Sequence, residues 1–306
     1  MPERSRRTVA YLCTYFWRVL RVNVEYPAVD FNPADALEEL TKQALLLYRD
    51  FPWRKTVDAW KILVSEVMLQ QTQTTRVIAK YNEWFTALPD VYACANAEKQ
   101  EILRLWSGLG YNSRALRLHQ CAKIICETCR GIVPRFRHVL MRLPGIGAYT
   151  SGAVCAFAYD EPHVFFETNI RTVLIYWLTN HPDWSLQSTG VSDVYLKPML
   201  ESLVKLACDT KFSIRTLYYM LMDYGAYIKK TQGNLSVLSK AYSKQGKFKG
   251  SVREVRGAII KALSREGTIR YTMIEDQYDP EKVKEAVSAL VAEGIIIQKD
   301  EVLVLS

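Results

Sequence analysis

Apolar residues recur at i, i+3 and i+4 spacing through most of the chain up to about residue 230, a pattern that predicts helices. The clearest runs are 36–48, 56–68, 99–106, 115–126, 139–143, 168–178 and 214–228. Residues 150–158 are small and apolar throughout, as in a helix packed on all sides. Proline and glycine at 52, 89, 108–110, 134, 144–147 and 162 punctuate these runs. The final stretch reads differently. A helix over 252–264, a short strand over 268–271, a short helix and a helix over 280–293 come first. A hairpin of 295–298 and 302–305 around Lys299-Asp300-Glu301 then closes the chain. That is the plan of a winged helix-turn-helix. The expected fold is mainly α.

Composition sets bounds on this picture. The 306 residues, 49% of them hydrophobic, suit about two domains with a buried core. No apolar run reaches 18 residues, so no membrane span is expected. Arg4, Arg6 and Arg7 precede an apolar stretch over 9–20, faintly like a signal peptide. Arg18 and Arg21 interrupt its end and no small-residue cleavage site follows, so residues 1–25 read as an N-terminal extension. Seven cysteines, an odd number on apolar helix faces, indicate a reducing compartment, here a cytoplasmic, nucleoid-associated one. Cys126 and Cys129, with Cys121 nearby, lack a fourth zinc ligand at standard spacing and read as ordinary helix cysteines. His119, His138, His163 and His181 are scattered, which leaves a histidine-based metal site without support. The net charge of +8 is concentrated: Lys229–Lys261 holds nine Lys or Arg and one acid, Glu254. Such a stretch is either a solvated linker or the footprint of a polyanion, here nucleic acid.

Candidate chemistry begins at Leu143-Pro144-Gly145-Ile146-Gly147-Ala148-Tyr149-Thr150, between two helical runs. Gly145 and Gly147 let the backbone turn sharply, so that successive N–H groups and a helix start can face one phosphate. This helix-hairpin-helix pattern grips DNA backbone without reading sequence. Three blocks precede it: Pro52-Trp53-Arg54, the run from Ser65-Glu66 to Gln70-Gln71-Thr72-Gln73, and Leu105-Trp106-Ser107-Gly108-Leu109-Gly110-Tyr111. Glu167-Thr168-Asn169-Ile170-Arg171 follows. In this order and spacing, over roughly residues 35–230, the blocks resemble the helix-hairpin-helix DNA glycosylase superfamily, and most closely its MutY-type adenine glycosylases of A/G mismatches.

The resemblance implies two helical domains with catalytic and DNA-binding groups between them. Glu66 stands where those enzymes hold the acid that protonates the flipped adenine, a role that suits a carboxyl whose pKa burial has raised. Gln70, Gln71 and Thr72 resemble residues that fill the stack where the base has left, and Tyr111 the tyrosine beside the opposing purine. Arg54, Gly145 and Gly147 join them as DNA contacts. Tyr149 occupies the position of a lysine nucleophile in bifunctional relatives; without that amine no Schiff base forms there, so the expected enzyme is monofunctional.

Three departures qualify the match. The superfamily's aspartate, which stabilises the sugar cation, is here Glu167, longer by one methylene; at a helix start the dipole favours its ionised form. Asn169 would orient that carboxylate or a water. MutY-type enzymes usually carry an iron–sulfur cluster on four cysteines after a DxGAxxC stretch. Here Asp223-Tyr224-Gly225-Ala226 leads to Lys229 and Lys230, and no cysteine follows Cys208. No cofactor is therefore expected, with Lys229, Lys230 and Lys240 replacing the cluster loop on DNA phosphates. The usual C-terminal domain that senses 8-oxoguanine is replaced by the winged helix.

The expected domains are the extension over 1–25, a helical domain of 26–51 plus 166–246, a six-helix barrel domain over 52–165, and the winged helix over 247–306. The expected partner is double-stranded DNA carrying a mismatch or lesion, engaged by a monomer. Two alternatives stay open: a glycosylase removing thymine or uracil opposite guanine, and a non-catalytic lesion-binding protein in which Glu167 marks a lost nucleophile.

Overall fold

The computed structural model describes residues 30–181, 190–244 and 246–306; the expected N-terminal extension lies outside them. In chain order the helices are α1 (Pro33–Leu47), α2 (Ala59–Leu69), α3 (Thr74–Ala87), α4 (Val91–Asn96), α5 (Lys99–Trp106) and α6 (Ser113–Cys129). The hairpin pair is α7 (Arg137–Leu140) and α8 (Ala148–Tyr159). Next come α9 (Thr168–Thr179), α10 (Asp193–Thr210) and α11 (Ile214–Thr231). The C-terminal module is α12 (Val252–Glu266), β1 (Thr268–Arg270), α13 (Thr272–Glu275), α14 (Pro280–Ala292), β2 (Ile296–Lys299) and β3 (Val302–Leu305). Local signals explain the starts. Asn32, Asp58, Asp90, Ser192, Ser213 and Asp279 each accept from a backbone N–H of the first turn they precede.

The chain divides into two compact units. One takes the residues up to Asp50 and Cys155–Ser243; the other takes Phe51–Val154 and Lys244–Ser306. In the second unit residues 62–68 of α2 are all buried, so this helix is enclosed on every side. α3 and α6 pack on it, α4 and α5 pack on α6, and Trp84 meets Trp106 edge to face at 5.8 Å. In the first unit α11 lies along α9 and α1, around a core that includes Leu40, Ile170, Leu174, Leu217 and Leu221.

The C-terminal module is a winged helix, with a sheet of order β1-β3-β2 whose neighbours are antiparallel. It was expected to stand as a separate domain, yet it groups with the unit holding α2–α7. The reason is local packing: α12 lies against α5, Gln100 Nε2 donates to the Ser264 carbonyl at 3.4 Å, and Lys99 Nζ to the Ser306 carbonyl at 2.6 Å. A module of about sixty residues has little core of its own, and docking supplies more. The division also falls inside α8, at 154/155, and not in the loop after it. α8 is continuous, and residues 150–157 are buried throughout.

Candidate active site

Glu66 faces the interior of α2's own unit and is 2% exposed. A carboxyl so placed is costly unless hydrogen-bonded, and the Tyr149 hydroxyl donates to its Oε2 at 2.7 Å. Tyr149 is carried by the first turn of α8, directly after the hairpin. There the chain turns at Gly145, whose φ is +77° and whose missing Cβ would press on Arg117 at 3.1 Å. Gly147 has neither a left-handed φ nor a neighbour within 4 Å. The turn therefore requires one glycine, where two were expected.

Two loops of this unit are bound together. At the end of α2, Gln70 Nε2 donates to Thr150 Oγ1 at 3.1 Å, and Gln71 is exposed with φ +54°. In the 107–112 loop Tyr111 has φ +47° and is 39% exposed. Left-handed backbone costs a non-glycine residue about 1 kcal/mol, and such strain clusters where side chains are held ready for a partner. Arg114 does the holding. Its Nη1 donates to the carbonyls of Val67 (2.7 Å) and Met68 (3.2 Å), and its Nη2 to those of Leu109 (3.1 Å) and Gly110 (3.0 Å). It also reaches the Gln70 carbonyl and Thr72 Oγ1, and it lies 5.6 Å from the Tyr111 ring. Burial lowers its pKa to about 10, which leaves it cationic at neutral pH. Nothing in the motifs pointed to Arg114; the only sequence signal is an arginine one turn after a glycine-rich loop. Arg54, expected on DNA, is instead buried at 9% exposure, with its guanidinium 5.1 Å from the Phe51 ring.

The other unit holds Glu167 and Asn169. Glu167 is the N-cap of α9: its Oε2 accepts from the Asn169 N–H at 2.5 Å and the Ile170 N–H at 3.1 Å, and its Oε1 from Asn169 Nδ2 at 2.6 Å. The helix start alone predicts an ionised carboxylate. Burial outweighs it and pushes the pKa above the ordinary value, against the N–H donors of Ile170 and Asn169, the Arg49 charge and the Asn169 amide. Arg49 is fixed by the buried Asp223, with Nε 2.5 Å from Oδ1. Two residues on, a Cβ at Gly225 would come within 2.1 Å of the Asn169 carbonyl oxygen, so glycine sets how closely α11 approaches the start of α9. Lys229 and Lys230 are exposed in the last turn of α11.

Among the described residues, Cys155, Glu161 and His163 bring three metal-type ligand atoms within 4.8 Å of one another. The scatter of histidines along the sequence gave no hint of that grouping. His163 Nε2 lies 3.3 Å from Glu161 Oε2, an ordinary hydrogen-bonding separation.

Comparison with known proteins places this architecture. Residues 64–203 match the family model described as HhH-GPD superfamily base excision DNA repair protein. The adenine DNA glycosylase of Mycolicibacterium smegmatis is 32% identical over 270 residues, covering 82% of this chain and 88% of that protein. The chain belongs to the HhH-GPD superfamily, among its MutY-type members. The adenine DNA glycosylase of Mycobacterium tuberculosis is 44% identical over 128 residues, 42% of each chain. That of Homo sapiens is 38% identical over 135 residues, 41% of this chain and 25% of the human protein. Membership makes DNA the partner of this chain. No helix among the described residues is long and apolar enough to cross a membrane.

Proposed function

We propose that the protein is a monofunctional adenine DNA glycosylase acting on adenine opposite guanine or 8-oxoguanine. The observation that carries this reading is Glu66: a carboxyl 2% exposed in an apolar helix, bonded to a tyrosine where bifunctional relatives place an amine. In this reading Glu66 gives its proton to the flipped adenine as the N-glycosidic bond breaks and the bonding electrons leave with the base. The Glu167 carboxylate opposes the positive charge left on the sugar, and a water held by Asn169 then adds to it and releases one proton to solvent. The Tyr149 hydroxyl fixes the rotation of the Glu66 carboxyl. Gln70, Gln71 and Thr72 fill the gap in the stack, and Tyr111 stacks beside the opposing purine.

The residues after α11 do not fit a four-thiolate cluster. Cys208 is the last cysteine. The segment that follows α11 turns through Leu235–Leu238, and the backbone of Val191 bonds to Leu238 and Lys240. The enzyme works without a metal cofactor in this reading, and its lysines take up phosphate contacts.

One observation favours a second reading, a lesion-binding protein without catalysis: the Glu167 carboxylate already accepts three hydrogen bonds, two from backbone N–H groups of its own helix and one from the Asn169 amide. A panel of end-labelled duplexes separates the two. With adenine opposite guanine or 8-oxoguanine, strand breaks at the adenine are expected only after alkali. Breaks without alkali, breaks at thymine or uracil opposite guanine, or none on any duplex would each overturn the first reading.

The basic segment gives a separate expectation. Lys244, Lys247 and Lys249 are exposed, and each lysine that neutralises a phosphate adds about 0.9 to the slope of log affinity against log salt. Replacing all three by alanine is expected to flatten that slope by up to about 2.7 while the preference for mismatched over matched duplex persists. An unchanged slope, read by titration at several salt concentrations, would place the segment away from DNA.

A further inference from the structure

Winged helices commonly read DNA through the second helix of the helix-turn-helix and the wing, but here that edge has the wrong charge. From Tyr271 to Ser306 there are three Lys or Arg against eight Asp or Glu. α14 exposes Glu281 and Glu285 beside Lys284. Such a face repels phosphate. Most cations of this module lie on and just before α12. Of these, Arg256 is committed inside the module, paired with both carboxylate oxygens of Glu293 at 2.7 Å.

Arg253 is different. Its Nη1 donates to the Tyr111 hydroxyl at 3.1 Å, and its Nη2 to the carbonyls of Gly246 at 2.8 Å and Lys247 at 3.4 Å, which leaves one N–H of Nη1 and that of Nε outside these bonds. The docking of α12 on α5 explains the reach, because α5 ends where the Tyr111 loop begins. Tyr111 is thus held from two sides, by Arg114 beneath its ring and by Arg253 at its hydroxyl, with the ring itself partly exposed.

We propose that Arg253, supplied by the winged helix module, reads the base opposite the excised adenine and favours guanine there. This rests on the reading above that Tyr111 stacks beside the opposing purine. The chemistry selects the base. A guanidinium has five N–H donors in a fixed fork and no acceptor. Guanine presents two adjacent acceptors, O6 and N7, on one edge; in 8-oxoguanine N7 carries a hydrogen, and O6 is the acceptor it shares with guanine there. Adenine offers one acceptor beside an amino donor, thymine a single acceptor, and cytosine an amino donor. The Tyr111 hydroxyl and the Gly246 carbonyl hold the fork in place before DNA arrives, so little side-chain entropy is lost on binding. The winged helix then acts as the carrier of one specificity-determining side chain.

The test uses binding to duplexes with a tetrahydrofuran abasic analogue opposite guanine, cytosine, thymine or adenine, so that it needs no turnover. The intact protein is expected to bind the guanine duplex more tightly than the cytosine duplex by on the order of tenfold, the scale of one two-pronged arginine contact. Arg253→Ala should bring that ratio close to one. Arg253→Lys keeps the charge but not the fork, so it should lose the ratio and keep the salt slope; it also serves if the alanine variant folds poorly. Tyr111→Phe, which retains the ring, should lose part of the ratio. Three results would overturn the proposal. In one, the intact protein shows no ratio. In another, the ratio survives in both Arg253 variants. In the third, all four duplexes weaken equally and the salt slope drops by about 0.9, the mark of a phosphate contact. If adenine is never released yet the ratio depends on Arg253, the glycosylase reading fails and this one stands.

Discussion

Glu66→Gln is expected to slow single-turnover release of adenine from an adenine–guanine duplex by about a hundred- to ten-thousand-fold, the usual worth of a placed general acid. The substitution is nearly isosteric, and its amide oxygen can still accept from the Tyr149 hydroxyl, now 2.7 Å from Oε2. The buried site is therefore kept and only the proton is lost. Affinity for the mismatched duplex should stay within a few fold. Retention of most of the single-turnover rate would remove Glu66 from the mechanism.

For Glu167→Gln we expect a loss on the order of a thousandfold, the scale of deleting one preorganised electrostatic group. The charge matters here, so the pH profile carries the diagnosis. Glu167 must be ionised to oppose the sugar cation, and Glu66 must be protonated to release the base. Burial raises the Glu167 pKa above 4.5. The rate should therefore fall on acidification as Glu167 gains its proton, at a pH above the ordinary value for its carboxyl. In Glu167→Gln that acid limb should vanish. Glu167→Asp should retain part of the activity, because aspartate is itself a favoured helix cap. An inert natural chain restored by Glu167→Asp would mark a binding protein. A Glu167→Gln rate equal to that of the natural chain would place the stabilising group elsewhere.

Most helices were legible from their periodicity because each buries one face, and the run 99–106 matches α5 residue for residue. The 74–87 stretch carries a weaker signal, because basic and polar residues crowd the turns between Val77, Tyr81 and Trp84, which form a buried stripe at helical spacing. The 193–210 stretch carries Pro198 inside α10, a residue that interrupts the helical signal without ending the helix. The winged helix could be read from its turn residues, but its docking on α5 could not. That docking depends on long-range contacts such as Lys99 with Ser306, which no local pattern encodes. The same limit applied to the site. Motif positions single out Glu66, Tyr149, Glu167 and Asn169 as candidates. The Tyr149–Glu66 bond, the reach of Arg253 and the anchorage by Arg114 exist only once distant segments meet. Arg54 shows the converse, since its place in a motif suggested a surface role while packing put it inside.

The Arg114 anchorage bears on how such a site can diversify. Five of its acceptors are main-chain carbonyls, those of Val67, Met68, Gln70, Leu109 and Gly110. A carbonyl is the same whatever side chain its residue carries. The frame of the two loops therefore places little demand on the identities of residues 71 and 111 beyond a left-handed backbone at each. A lineage could exchange those side chains one at a time and explore other base pairs, with the scaffold beneath them intact. Only a change at 114 itself would set both loops adrift at once.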